Sequence, residues 1–251
     1  MIRSSGMLPR YLGMFARCAI VAGFFGSAAN NAHAIPLADL FGGETPETIV
    51  AGDKLFSDWQ LVTNAASTDL SQIDVTPLDD PAGNPGLRYT DTGGALTLDT
   101  LGEEFQISFR FTVTVLDPTQ RISGNSLELV DAATEGFALV QILEGVDDGT
   151  EDTVLATKIV TSQGEPVIDD PLAEATFAPQ QSIGVSTILF GVVEGAEDFG
   201  RLTQFDQRFS QVSIAVPEPA SLGVFLAGLA GLGLFSRFPH RAKAGRREQR
   251  A

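Results

Sequence analysis

From Phe105 to Val115 the chain keeps a strict two-residue period. Phe105, Ile107, Phe109, Phe111, Val113 and Val115 alternate with Gln106, Ser108, Arg110, Thr112 and Thr114. Successive side chains of a β-strand point to opposite faces, so as a strand this segment has one apolar face and one polar face. Wound as a helix, the same apolar residues would be scattered around the circumference. The pattern asks for a half-buried antiparallel strand. Asp117-Pro118 then ends it, because proline has no amide hydrogen with which to continue a ladder.

The neighbouring segments extend the same reading. Ala95–Leu101, Leu127–Val130, Phe137–Leu143, Thr153–Val160, Ile183–Val193 and Phe205–Ile214 are rich in Val, Ile, Thr and Phe and lie between Gly, Asp, Asn and Pro clusters. Residues 79–86 and Thr92-Gly93-Gly94 carry turn chemistry, and Asp147-Asp148-Gly149-Thr150 supplies an Asp-Gly hairpin signal. No long amphipathic helix interrupts the series. The expected fold class is all-β, a single jelly-roll-like β-sandwich over residues 35–215.

The two ends have a different character. Arg3, Arg10 and Arg17 precede the first acid, Asp39, and the apolar stretch from Cys18 to Gly26 follows them. Ala32-His33-Ala34 then presents small residues around a larger one, the pattern read by a signal peptidase. The apolar stretch is too short to span a bilayer core of about 30 Å. Residues 1–34 therefore read as a secretion signal, cut after Ala34 so that Ile35 begins the mature chain.

At the other end, Pro217-Glu218-Pro219-Ala220-Ser221 leads directly into a Leu/Gly/Ala-rich run ending near Phe235. Residues 220–236 carry no charge and sit at the low end of the roughly 17–25 residues that cross a membrane as a helix. Arg237, Arg241, Lys243, Arg246, Arg247 and Arg250 follow. Basic residues after an apolar span hold that end in the cytoplasm, leaving the body outside.

Proline-glutamate-proline, a short glycine-rich apolar helix and an arginine cluster, in that order, resemble the PEP-CTERM sorting signal from about Val216 onward. The basic segment is longer than is usual there and is interrupted by Pro239 and Gly245. The resemblance implies processing by an exosortase, a membrane enzyme of the cysteine transpeptidase-like kind. It also implies a Gram-negative host that makes an extracellular polysaccharide matrix, with the protein passing through an inner-membrane intermediate. A weaker resemblance links Val50–Trp59 and Phe209-Ser210-Gln211 to exported domains that precede such tails, without implying an active site.

Composition limits what the body can do. Between Ile35 and Val216 there are 30 Asp and Glu against 7 Lys and Arg, a net charge of −23. Such a surface is unsuited to nucleic acid or anionic lipid, which both need Lys and Arg. His33, His240 and Cys18 all fall in the terminal segments, so the mature body has no His and no Cys. That excludes Ser–His–Asp and Cys–His nucleophiles, the usual zinc, copper and haem sites, and disulfides. No cofactor is expected.

Carboxylate pairs are the catalytic machinery that remains: Glu103-Glu104, Asp147-Asp148 with Glu151-Asp152, Asp169-Asp170 and Glu197-Asp198, all placed in expected loops. Two carboxylates at a suitable separation hydrolyse glycosidic bonds, and acidic loops bind calcium through six to eight oxygens. No Asp-x-Asp-x-Asp-Gly loop occurs, however, and neighbouring acids are expected by chance in so acidic a chain. Solvated loops are the preferred reading. Asn64, Asn84 and Asn125 each fail the N-glycosylation pattern, and no phosphate-binding glycine loop follows a strand. Trp59, the one tryptophan, reads first as a core anchor and second as a sugar-stacking platform.

The expected function is that of an exported, noncatalytic surface or matrix protein associated with exopolysaccharide or biofilm. Its expected partners are signal peptidase and the secretion machinery, an exosortase, exopolysaccharide, and the membrane through its C-terminal helix, with no nucleic acid among them. The rivals are a polysaccharide-active enzyme using a carboxylate pair and a calcium-dependent carbohydrate-binding module.

Overall fold

The computed structural model describes residues 33–42, 47–79, 84–150, 153–164 and 168–214. The described fold begins with β1 (Ile35–Pro36) and a five-residue helix, α1 (Leu37–Phe41). Next come β2 (Ile49–Ala51), β3 (Lys54–Asn64), β4 (Ile73–Leu78), β5 (Gly86–Asp91), β6 (Thr97–Leu98) and β7 (Glu104–Val115). The second half supplies β8 (Gln120–Glu135), β9 (Leu139–Asp147), β10 (Val154–Gln163) and β11 (Ile168–Asp170). It closes with β12 (Leu172–Gln180), β13 (Ser182–Val192) and β14 (Phe199–Ser213).

These strands form two seven-stranded antiparallel sheets packed as a β-sandwich. The first runs β1-β4-β5-β14-β8-β12, with β6 also paired to β14, and the second runs β11-β10-β9-β13-β7-β3-β2. The longest strands, β8 and β14, pair side by side and bend through register shifts near Gln204 and Ser210. The Asp-Gly signal at 147–150 joins β9 to β10, with Gly149 at φ 86° supplying the left-handed residue such a turn requires.

Periodicity in β7 becomes packing. All six of its apolar residues are buried, while Gln106, Ser108, Arg110, Thr112 and Thr114 face outward. Phe109 and Phe111 meet the rings of Trp59, Tyr89, Phe41 and Phe56. In α1, Leu37 and Leu40 turn into the same core.

Several expected boundaries move. Ala95–Leu101 contributes only Thr97–Leu98, because the Asp91 carboxylate collects the amides of Gly93, Gly94, Ala95 and Leu96 and holds that stretch as a turn. Leu127–Val130 is a fragment of the sixteen-residue β8. Asp169-Asp170 lies in β11 rather than in a loop, and Glu104 and Asp147 are terminal residues of β7 and β9. Strands β3, β4, β5 and β12 complete the sheets beyond the segments expected from sequence.

Candidate functional site

The sorting residues Pro217, Glu218, Pro219, Ala220 and Ser221 lie outside the described residues. So do the basic residues from Arg237 to Arg250, the expected span 220–236, and Ala32. Among the described residues no helix is long and apolar enough to cross a membrane. The expected first mature residue, Ile35, opens β1, pairs with Val75 of β4 and packs against the core.

Among the described residues, Glu103, Asp147 and Asp148 of the acidic pairs serve their own turns. Glu103 accepts the amides of Asp99 and Thr100, both at 3.0 Å. Asp148 accepts the Thr150 amide at 3.0 Å and its hydroxyl at 2.5 Å, which holds its carboxyl below the ordinary range. Asp69 and Asp117 are lowered in the same way by Ser71 and Thr119. Asp198 lies against Gly195, where an added Cβ would come within 2.4 Å of its carboxylate. Among the described residues no three His, Cys, Asp or Glu side chains gather as a metal site.

Trp59 is buried and stacks on Phe111 at 4.6 Å between ring centroids. It belongs to the core, and its face is not available to stack on a sugar.

On the polar side of the second sheet, Asp58, Gln60, Arg110, Thr112 and Asp147 line a cleft of about 150 Å³. Arg110 and Asp147 approach to 3.5 Å. Asp147 also accepts the Gly149 amide at 2.8 Å. A Cβ on Gly184 would lie 2.3 Å from the Asp147 carboxylate, so glycine there leaves room for the acid. Asp58 sits at φ 57° beside the register shift between Ser57 and Gln60. The cleft thus combines a guanidinium, an amide, a hydroxyl and two carboxylates, a set that can both donate to and accept from hydroxyl groups.

A second polar group lies between the sheets. Five strands each bring one polar side chain into it from a largely apolar inward row: Asn125 on β8, Glu144 on β9, Lys158 on β10, Thr187 on β13 and Gln207 on β14. All five are buried. Lys158 Nζ lies 2.5 Å from Glu144 Oε1 and donates to Asn125 Oδ1 at 2.6 Å. The Asn125 amide nitrogen donates to the same Glu144 oxygen. Gln207 donates to the other Glu144 oxygen and, at 2.9 Å, to the Thr187 hydroxyl.

Sequence reasoning passed over this group. The signal was parity: Glu144 falls in the row of Val140, Ile142 and Val146, and Lys158 in the row of Val160.

Elsewhere Lys54 is fully buried beside Asp53 at 3.0 Å, and burial lowers its amine despite the opposing pull of that acid. Asp206 receives Arg88 through two 2.8 Å hydrogen bonds.

Taken with its ends, this sandwich defines an exported domain followed by a C-terminal sorting signal. That signal is the PEP-CTERM protein-sorting motif, whose family matches residues 215–241. The match begins two residues after the end of β14 and carries export, cell-surface or envelope association, and an exosortase as processing partner. No curated protein matches the chain. A solved structure of TmCBM61 in complex with β-1,4-galactotriose is similar at 15% identity and a TM-score of 0.28, over 62% of this chain and 88% of that one. The fold assignment rests on the two sheets themselves.

Proposed function

We propose that this is a noncatalytic surface or matrix protein, released from an inner-membrane intermediate by an exosortase and retained among the exopolysaccharides of a Gram-negative cell. The observation that carries the reading is the sorting motif at 215–241, placed directly behind a sandwich that ends at Ser213. The beginning of the fold supports the other half. Ile35 takes a place in β1, so cleavage after Ala34 leaves that strand complete.

Noncatalysis is supported by what the acids do. Glu103 and Asp148 are occupied with turn amides, and Asp147 is engaged by Arg110 and the Gly149 amide. The Arg110–Asp147 cleft suits a polyhydroxylated chain, since carboxylate, amide and guanidinium together bind hydroxyl groups. The excess of acid favours a neutral glycan over an anionic one.

The test is fractionation of cells making the wild-type chain or the Pro217→Ala, Pro219→Ala variant. Wild type is expected at the surface or in the matrix, shortened at its tail, and the variant to accumulate at full length in the membrane. Trimming and release of the variant like wild type defeats the sorting role. The secreted form is then offered the host's own polysaccharide: saturable retention without turnover is expected, and turnover returns the carboxylate-pair enzyme.

A further inference from the structure

We propose that the folded domain joins Lys158 to Asn125 through a side-chain amide bond, with Glu144 carrying the protons, and so staples its two sheets covalently.

The reacting groups come from opposite layers. Asn125 belongs to β8 in the first sheet, whereas Glu144 and Lys158 are direct cross-strand partners on β9 and β10 in the second. Lys158 Nζ is 2.6 Å from Asn125 Oδ1. The carbonyl carbon lies one C=O bond, about 1.23 Å, from that oxygen. Amine and amide are therefore held together before any reaction, which removes most of the entropic barrier to their meeting.

Glu144 Oε1 contacts both nitrogens whose protons must move: Nζ, which loses two, and the Asn125 amide nitrogen, which gains two on leaving as ammonium. Its other oxygen is held by Gln207, which is itself fixed by Thr187. Asn125 and Lys158 are each 4% exposed and Glu144 is 0% exposed, so the access of water, the competing nucleophile, is restricted.

The chemistry balances without a further reactant. Glu144 takes a proton from the Lys158 ammonium, and the free amine attacks the Asn125 side-chain carbonyl carbon. Glu144 gives that proton to the amide nitrogen and takes one from the former amine. The old carbon–nitrogen bond breaks, and ammonia leaves with the proton from Glu144 as ammonium. Lysine ammonium plus asparagine amide thus become one secondary amide plus ammonium, with the carboxylate restored. A cleft of about 130 Å³, lined by Asn125 together with Glu174, Thr176, Arg208 and Ser210, offers the ammonium a way out.

The product also suits the place. The bond removes the desolvation cost of the buried ammonium, and the restored Glu144 carboxylate keeps its hydrogen bond from Gln207. The body has no cysteine, and this bond gives an exported sandwich a cross-link that does not depend on redox conditions.

Tryptic mapping of the denatured full-length chain, extracted from the producing cells, decides the matter. Trypsin does not cut after an acylated lysine, so the expected product is one fragment spanning 122–201, lighter than its sequence by one ammonia. Fragments 122–158 and 159–201 at unmodified mass in the wild type overturn the proposal. Glu144→Gln is expected to yield those two unlinked fragments, and linkage at the wild-type extent overturns the role given to Glu144. Asn125→Asp supplies a second signature: linkage there releases water in place of ammonia, and loss of ammonia from the same fragment points to a different bond.

Discussion

Tyr89 shows how far the core has been taken from water. It is buried, stacks on Phe205 at 4.3 Å with the rings 3° from parallel, and its hydroxyl has no hydrogen-bond partner among the described residues. Burial first, and the charge of Glu144 second, hold the phenol well above its ordinary 10.0. An unfolded tyrosine ionises near pH 10. Folding therefore favours the protonated ring, and this contribution to stability is complete below about pH 10 and lost as pH rises through the folded value. The other tyrosine, Tyr11, lies in the expected leader, so the mature form has a single reporter. Tyrosinate absorbance should be absent from the folded protein at pH 10 and should appear together with unfolding at higher pH. A smooth titration centred on pH 10 while the fold persists contradicts the burial.

At the scale of the element, β7 tests the link between periodicity and packing. Phe109 meets the rings of Phe41, Trp59, Tyr89 and Phe111, whereas its neighbour Ser108 is on the polar face. Phe109→Ala should cost about 3–5 kcal/mol through lost burial and a cavity. Ser108→Val should stay within about 0.5 kcal/mol. Urea unfolding at constant m-value measures both, and equal costs contradict the assigned faces. This strand was legible because one of its faces is buried and the other wet, so the alphabet alternates.

Strand β12 was not legible for the converse reason. It is an edge strand, Leu172-Ala-Glu-Ala-Thr-Phe-Ala-Pro-Gln, with much of both faces exposed, so no hydrophobic period marks it. The buried polar group was hidden in another way. A lone Glu144 or Lys158 in an apolar row is weak evidence, and what makes it a site is that β8, β9, β10, β13 and β14 bring five such exceptions together. Composition and parity record each exception, but only the sheet order records their meeting. The sorting tail is the opposite case, legible from a short contiguous string with no fold needed.

For the whole molecule the governing quantity is charge. Of the seven cations of the body, Lys54, Arg88, Arg110, Lys158 and Arg208 lie within ion-pair distance of a carboxylate. The 30 acids far outnumber them, so the surface carries a field of like charge that works against compaction. Salt shortens the range of that field, to a Debye length of about 10 Å at 0.1 M. Sodium chloride should therefore raise the melting temperature of the secreted form, and a gain of 1 kcal/mol would appear as roughly 2–4 °C for a domain of this size. Calcium chloride at equal ionic strength separates two origins of the effect. Screening alone makes the two salts nearly equivalent, which is the expected result, since the acids at the turns are engaged with nearby backbone amides. A calcium gain that saturates at low concentration and is removed by EDTA is the signature of binding to the native state alone. That result favours a calcium-dependent carbohydrate-binding module over a plain surface domain. A fall in melting temperature with sodium chloride contradicts the repulsion argument itself, because it means that attractive pairs outweigh the excess of acid.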